Sequence, residues 1–586
     1  MSSLAKLKAA ESLEDVAGIL GFKPSRLAYI IYKVPDAKKY SEFEIPKRGG
    51  GTRKIKAPEP RLKVLQRRLA NLLYLCLADI DKEGAPRRPL SHGFTPSLSI
   101  VTNASAHKRR RYVLNLDLKD FFPSINFGRL RGMLMKDKRF ELHPKVATVV
   151  AQIACHDNSL PQGSPCSPVL SNIVGHLLDI RLVRLAKKHK CTYSRYADDI
   201  TFSTNQANFP ADLAAPTPGT NGLWSLGSEL VTAIGKAGFE INGAKTRMQV
   251  RGSRQLTTGL VVNEKVNIRS EYYREARAMS ASLFSAGSYY KMIPATLAGG
   301  MPGDPDVKQE LPSLAMLQGV LDHIYSVRNS TDRRDGPEKK KNATATRRLY
   351  RKFLFYKNFV ALDLPLIVPE GKTDTIYLRA AIQRLTKFHP QLGAVENGKL
   401  KTTLRFLNLT RNVHDVLQLG GGTGDFKFFM LKYKELMGLY KHKPLAKPVI
   451  LLIDNDDGAN DIFPVAKNLG SGAISHTSSN PFYRLSHNLY LVKTPETGAS
   501  NGKTCIEDLF DASVLAVELD GKKFDPNKKH GEDGKYGKAR FAEKVVRPNI
   551  ATIDFSKFEV LLSRIIAVLD DYSAALSLKE GSNPHN

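Results

Sequence analysis

Between Arg61 and Leu77 the residues Leu62, Leu65, Leu69, Leu72, Leu73 and Cys76 recur at helical spacing, with Arg61, Lys63, Arg67 and Arg68 off that stripe. Residues three and four apart share a helix face, so the spacing predicts a core helix with a basic back. The period changes in Leu114-Asn-Leu-Asp-Leu-Lys-Asp120, where leucines at 114, 116 and 118 alternate with Asn115, Asp117 and Lys119. A strand with that alternation buries the leucines and presents Asp117 on the other face. Tyr193 to Phe202 reads as a hairpin with Asp198 and Asp199 at its turn, and Pro46 to Ile55 as a glycine turn between two short strands, with Arg53 and Lys54 near its tip. Helices are predicted over Ser270 to Ser282 and Leu314 to Val327. Ala207 to Asn221, Pro294 to Pro312 and Asn329 to Thr346 read as loops or polar segments unsuited to packing. From Leu364 the pattern turns to short, wholly apolar runs, Leu366 to Val368 and Val449 to Ile453, each followed by acidic and glycine residues. Such runs are the strands of a parallel sheet covered on both faces, and a domain boundary is placed near residue 360.

Composition adds a partner to this outline. The 586 residues are 42% hydrophobic and 25% charged, as in ordinary globular chains of several domains. The net charge of +31 is sided: residues 1–350 carry 55 basic and 31 acidic side chains, the remainder 33 and 26. A polyanion is the expected partner of the first part, because each lysine or arginine that neutralises a phosphate releases condensed counterions. Five scattered cysteines without a C-x-x-C pair, Glu11, Glu14 and Asp15 near the N-terminus, and no long apolar run together predict a cytoplasmic protein with no membrane partner.

Adjacent unpaired aspartates repel, which a divalent cation relieves. Asp117, Asp198 and Asp199, on neighbouring strands, have the chemistry to hold two magnesium ions that activate a 3′ hydroxyl and stabilise a leaving pyrophosphate. Between them lies Leu160-Pro-Gln-Gly-Ser-Pro-Cys-Ser-Pro168, and after them Gly238-Phe-Glu-Ile-Asn-Gly-Ala-Lys-Thr246 and Thr257-Thr-Gly-Leu-Val-Val-Asn263. In this order and spacing the set resembles the palm motifs of reverse transcriptases, over about residues 25 to 360. The resemblance implies a right-hand polymerase with fingers and palm in 1–265 and a helical thumb and linker in 266–360. It makes Asp117, Asp198 and Asp199 the metal ligands, Phe122 the gate that favours deoxynucleotides, Gln162 a contact to the incoming nucleotide, Arg53 and Lys54 contacts to its triphosphate, and Lys245 the proton donor to pyrophosphate. Asn103-Ala-Ser-Ala-His107 is similar to the Asn-Ala-x-x-His signature of retron reverse transcriptases, and Thr257-Thr-Gly259 stands where they carry Val-Thr-Gly, with threonine replacing valine. Retron membership implies that Asn103, His107, Thr257, Thr258 and Gly259 serve RNA binding. It also implies a cognate structured non-coding RNA, deoxynucleoside triphosphates as substrates, and branched RNA-linked DNA (msDNA) started from a guanosine 2′ hydroxyl.

The chain beyond 360 reads as a second site. Glu370 and Gly371 end one apolar strand and Asp454 and Asp456 end another, and ligands collect at the carboxyl ends of strands in open parallel sheets. This resembles a TOPRIM domain, a Rossmann-like parallel sheet, over 361–586, so the whole chain is expected to be multidomain, α+β followed by α/β. Glu370-Gly-x-x-Asp374 favours the nuclease branch, which implies Asp374 and Glu507 as further ligands of Mg2+ or Mn2+ and Lys538 as the charge at a scissile phosphate of RNA or DNA. Family context implies a toxin-like effector in anti-phage defence; self-association is left open. The competing reading is a mobile-element or group II intron-like enzyme whose C-terminal domain only binds nucleic acid. Gly420-Gly-Gly-Thr-Gly424 lacks the Lys-Ser/Thr of a phosphate loop and reads as a strand-to-helix turn, and Pro526 to His530 as a solvated loop.

Overall fold

The computed structural model describes residues 1–586 except 47–50, 84–88, 221, 302, 312, 411, 421, 497–501, 529–532 and 582–586. The tip of the basic glycine turn, Gly421, and the end of the Pro526 to His530 stretch therefore lie outside the described residues. Contacts divide the chain into two units, Met1–Ser270 with Val327–Arg333, and Glu271–Ser326 with Arg334–Asn586.

In the first unit β1 (Tyr40–Pro46) and β2 (Thr52–Pro58) form the expected hairpin, followed by α1 (Pro60–Glu83), whose Leu62, Leu65, Leu69, Leu72, Leu73 and Cys76 are buried. After the short α2 (Ile100–Ser105), strand β3 (Tyr112–Asp117) enters the core, α3 (Ser167–Lys188) crosses behind it, and β4 (Thr192–Tyr196) and β5 (Asp199–Thr204) make the predicted hairpin. With β6 (Arg247–Val250) these strands form one antiparallel sheet, ordered β4-β5-β3-β6. A small hairpin, β7 (Leu256–Thr257) and β8 (Leu260–Val261), turns through Thr258 and Gly259 at positive φ. The segment read as a loop at 207–221 contains the first arm of another hairpin, Ala214–Pro216 against Trp224–Leu226; three-residue strands are too short to leave a period in the sequence.

The second unit takes α4 (Ser270–Ala286) from Glu271, α5 (Leu314–Ser330) as far as Ser326 and all of α6 (Ala345–Phe355), which precede a five-stranded sheet. Its strands are β9 (Leu366–Pro369), β10 (Arg405–Phe406), β11 (Val449–Ile453), β12 (Tyr483–Ser486) and β13 (Leu489–Lys493), ordered β10-β9-β11-β13-β12 and parallel except for β12. Helices α7 (Asp374–Arg384), α8 (Thr423–Met437) and α9 (Glu559–Gly581) accompany it. The boundary expected at 360 is not a seam between compact units. The rings of Phe355 and Phe359 pack on Phe429 and Tyr433 of α8, so the end of the helical segment is core to the sheet. Nor is 329–346 free of structure: Gly336–Lys341 is helical and Thr346 is buried. The glycine cluster before α8 follows a helical turn, Val413–Leu417, rather than a strand, and Gly420 N–H donates to Asp425 where a phosphate loop would meet an anion. No helix among the described residues is long and apolar enough to cross a membrane.

Candidate functional site

Asp117 closes β3, and the β3–β5 register sets it directly opposite Asp199. Asp198 occupies the two-residue turn between β4 and β5, and its carbonyl accepts from Leu118 N–H at 3.0 Å. Three carboxylates thus meet at one end of the sheet. Burial and then the neighbouring Asp117 charge raise the Asp198 pKa. Asp199 is open to solvent at its surface, yet the enclosing cleft and then the charges of Asp198 and Asp117 lift it to about 7. Lys245 Nζ donates to both Asp117 oxygens at 2.9 and 3.0 Å, joined by Asn242 Nδ2 at 3.2 Å, and keeps 60% of its side chain exposed. The lysine compensates charge at the rim of the site. These oxygen donors fit a hard divalent cation, the group that relieves their repulsion.

The remaining predicted residues of this unit divide. Arg53 lies close enough for its charge to lower the Asp198 pKa, whereas Lys54 pairs with Glu42 at 2.5 Å across the hairpin. The Gln162 carbonyl accepts from Lys56 N–H at 2.8 Å, and a Cβ on Gly163, at φ +127°, would come within 2.5 Å of the Lys56 carbonyl. Only glycine lets the Pro-Gln-Gly turn sit so close to β2. Phe122 is half-buried against Phe121 and Phe94.

Asn103, His107 and Thr257, which the resemblance assigns to RNA binding, are all fully buried. Buried polar groups need partners: Asn103 Oδ1 and the His107 ring find theirs in Ser194 and Ser203 of β4 and β5, while Asn103 Nδ2 and Thr257 Oγ1 have no hydrogen-bond partner among the described residues. Thr258 is partly exposed and Gly259 exposed at the turn, where Thr258 Oγ1 donates to the Ile100 carbonyl of α2 at 3.3 Å.

Residues not anticipated from sequence hold the aspartate turn from behind. Arg195, fully buried on β4, forks onto Asp179 of α3 with two 2.7 Å hydrogen bonds and donates to the Ala197 carbonyl at 3.0 Å. Gly175 makes room for the guanidinium, and a Cβ at Gly93 would lie 2.5 Å from the Ala197 nitrogen. The signal was available in part: Tyr193 and Arg195 share a strand face, so an apolar face predicts a buried arginine in need of an acid.

In the second unit β9 and β11 are adjacent and parallel, with Pro369 opposite Leu452, so Glu370 and Asp454 emerge side by side. Glu370 Oε2 accepts from Asp454 N–H at 3.0 Å and Asp454 Oδ1 from Ile506 N–H at 2.9 Å. Asp374, at the start of α7, accepts from Gly371 N–H at 2.7 Å. Lys538 donates to Glu507 at 2.9 Å and stands 4.0 Å from Asp454. Burial, then mutual repulsion, raises the acids: Asp454 to about 8, Asp374 to about 7, and Glu370 above its usual range. Burial depresses Lys538, but Glu507 and Asp454 outweigh it and hold the amine charged. Glu507 Oε1 is buried with no partner among the described residues, the kind of orphaned acceptor a cation would satisfy. Asp456 lies nearby but caps its own turn, accepting from Gly458 N–H at 2.8 Å. Five of the six predicted residues form the cluster, and Asp456 stands beside it, close enough for its charge to raise Glu370.

Among the described residues the one trio of ligand-type side chains with ligating atoms all within 4.8 Å is elsewhere, His189, Asp212 and Glu229. Lys188 already supplies that cluster with a cation through Glu229.

Residues 45–269, which contain the first site, match the family described as reverse transcriptase (RNA-dependent DNA polymerase). The chain is 38% identical over 313 residues to the Retron Mx65 reverse transcriptase of Myxococcus xanthus, covering 48% of this chain and 68% of that one. To the Retron Ec86 reverse transcriptase of Escherichia coli it is 31% identical over 286 residues, 48% and 81% of the respective chains. The chain belongs to the retron reverse transcriptases. A third relative, the Retron Mx162 reverse transcriptase of Myxococcus xanthus, is 36% identical over 271 residues, 43% of this chain and 53% of that one. This retron reverse transcriptase is accordingly an RNA-directed DNA polymerase with the palm fold, a family that takes RNA templates, deoxynucleoside triphosphates and Mg2+. The family match ends at 269, so the second carboxylate site of this retron enzyme lies beyond it.

Proposed function

We propose that Asp117, Asp198 and Asp199 are the polymerase's metal-holding carboxylates and that the enzyme makes branched RNA-linked DNA from a cognate non-coding RNA, primed from a guanosine 2′ hydroxyl. The observation that carries this reading is the β3–β5 register, which sets Asp117 against Asp199 beside Asp198 with Lys245 at the rim. Magnesium bound there supplies charge to an in-line displacement. The chain's own groups do the rest. Arg53 draws the triphosphate toward the aspartates, Gln162 and Phe122 shape the nucleotide's seat, and Lys245, released from Asp117, carries a proton to the leaving pyrophosphate. Lys54 is a weaker triphosphate contact, because Glu42 already holds it. Thr258 and Gly259, the exposed part of the retron turn, contact RNA, while Asn103, His107 and Thr257 support that surface from within.

The second unit is read as a TOPRIM-type domain acting as a metal-dependent phosphodiesterase, the effector of an anti-phage system. Support comes from Glu370 and Asp454 on adjacent parallel strand ends, with Asp374 and Glu507 around them and Lys538 placed to stabilise charge on a scissile phosphate. Asp456, whose Oδ1 caps its own turn, offers its second carboxylate oxygen from beside the cluster. Expression with the cognate RNA under phage challenge, followed by scoring of nucleic-acid integrity, tests this half. Degradation should require Glu370 and not Asp198; equal degradation by Glu370→Ala refutes the nuclease, and none in either favours a module that only binds nucleic acid.

A further inference from the structure

Ser194 lies four residues before Asp198 on β4, and Ser203 four residues after Asp199 on β5. Both hydroxyls meet one imidazole: His107 Nε2 is 2.7 Å from Ser194 Oγ and Nδ1 is 2.7 Å from Ser203 Oγ. Ser194 in turn donates to Asn103 Oδ1 at 2.6 Å. Because Ser194 uses its proton on Asn103, His107 Nε2 is the donor to Ser194 Oγ, and in the neutral ring Nδ1 accepts from Ser203. Asn103, His107, Ser194 and Ser203 are all at most 1% exposed, so water is poorly placed to substitute for a lost member.

The anchor of this chain is itself fixed. Helix α2 is capped by Ser99 and held at Ile100 by Thr258 of the β7–β8 turn. Asn115, two residues before Asp117, donates to the Leu256 carbonyl at 2.6 Å, and Thr201, two residues after Asp199, bonds Asn115 at 3.1 Å. Strand alternation sets Asp199, Thr201 and Ser203 on one face, with Asp117 and Asn115 beside them. A polar ladder therefore runs down the carboxylate-bearing face of the sheet and ends on α2.

We propose that His107 and Asn103 are positioning residues of the polymerase: by tying both arms of the Asp198–Asp199 hairpin to α2 and the turn that follows it, they fix the register at which the carboxylates meet their metal and nucleotide. The inference rests on the reading of Asp198 and Asp199 as those carboxylates. Neither residue touches the reacting atoms. Loss of the ring frees each arm, and a displacement of about 1 Å at a reacting centre costs on the order of 100-fold in rate.

The test is steady-state extension of a DNA primer on an RNA template by the full chain, titrated with MgCl2, comparing wild type, His107→Ala, His107→Gln and Asp199→Asn. His107→Ala should lower kcat by about 10- to 100-fold and raise the Mg2+ concentration for half-maximal rate, with KM for the nucleotide within about threefold of wild type. Glutamine retains an acceptor for Ser203 and a donor for Ser194, so His107→Gln should recover most of the loss. Ser203→Ala, which opens no ring-sized cavity, should show the same kcat and Mg2+ shifts at smaller size and serves if His107→Ala does not fold. Unchanged kcat and Mg2+ dependence in His107→Ala overturns the proposal. So does a loss that His107→Gln shares in full and that follows the thermal unfolding midpoint, which is a fold effect alone. If Asp199→Asn extends like wild type, the carboxylate assignment itself has failed; if it is inactive while His107→Ala and Ser203→Ala are normal, only the positioning role has.

Discussion

The two carboxylate clusters use the same residue types at strand ends and handle their charge differently. In the palm, Asp199 is open to solvent and the balancing Lys245 keeps 60% of its side chain exposed. In the second unit Asp374, Asp454 and Glu507 are at most 9% exposed and Lys538 is 34% exposed in its side chain. A rim lysine moves aside for substrate at small cost. A buried acid set depends on protons, a fixed lysine or a cation to exist at all. The palm set thus combines one buried acid, Asp117, with an open rim, and the second set combines three buried acids with the half-buried Glu370.

The largest expected contrast is in activity. Asp199→Asn should reduce primer extension by about 1000-fold or more, equivalent to about 4 kcal/mol of barrier, while Glu370→Ala leaves extension within about twofold. A large polymerase defect in purified Glu370→Ala would break the separation of the sites.

Stability supplies the next contrast. Arg195→Ala strands Asp179 in the core and should cost about 3–5 kcal/mol of folding free energy, with denaturant unfolding as the measurement. Lys245→Ala, at the rim, should cost less than about 1 kcal/mol. Equal losses would mean that the palm charges are not arranged as described.

A pH series probes the proton load of both sites, since the palm's Asp199 is raised to about 7 as well. Asp454, raised to about 8, and Asp374, raised to about 7, hold protons in the folded chain that the unfolded chain has released above pH of about 4. The folded state binds more protons in that window, so the metal-free chain should lose stability as pH rises from about 5 to about 8. Asp454→Asn should flatten the loss, and divalent cation should bind more tightly as pH rises because it displaces those protons. Thermal midpoints measured across this range with and without MnCl2 decide the matter; a slope unaffected by Asp454→Asn contradicts it.

A more local effect lies where the Pro-Gln-Gly turn meets the fingers. Gly163→Ala brings a Cβ against the Lys56 carbonyl at positive φ and should raise KM for deoxynucleotides several-fold, at a stability cost of about 1–3 kcal/mol. Unchanged KM would separate Gln162 from nucleotide binding.

Much of the palm was legible because short-range patterns determine it. The alternation at 114–119 set Asp117 on its face, and the hairpin at 193–202 placed Asp198 and Asp199 at a turn. The apolar runs at 366 and 449 likewise announced parallel strands with acids at their ends. What stayed hidden was long-range. His107 stands beside a run of basic residues, and nothing local announces that Ser194 and Ser203, 87 and 96 residues away, close around it. Phe355 and Phe359 read as the end of a linker until α8 packs on them. Asp456 was legible as an acid near Glu370 because Asp-x-Asp is a local pattern, while its capping bond to Gly458 depends on the turn that follows.

The most direct measurement is sequencing of the nucleic acid that copurifies with the full chain from cells expressing it with its cognate RNA, in wild type, Asp199→Asn and Glu370→Ala. The account predicts branched RNA-linked DNA with wild type and Glu370→Ala, and RNA alone with Asp199→Asn. Branched DNA made by Asp199→Asn, or its absence with wild type, would contradict it.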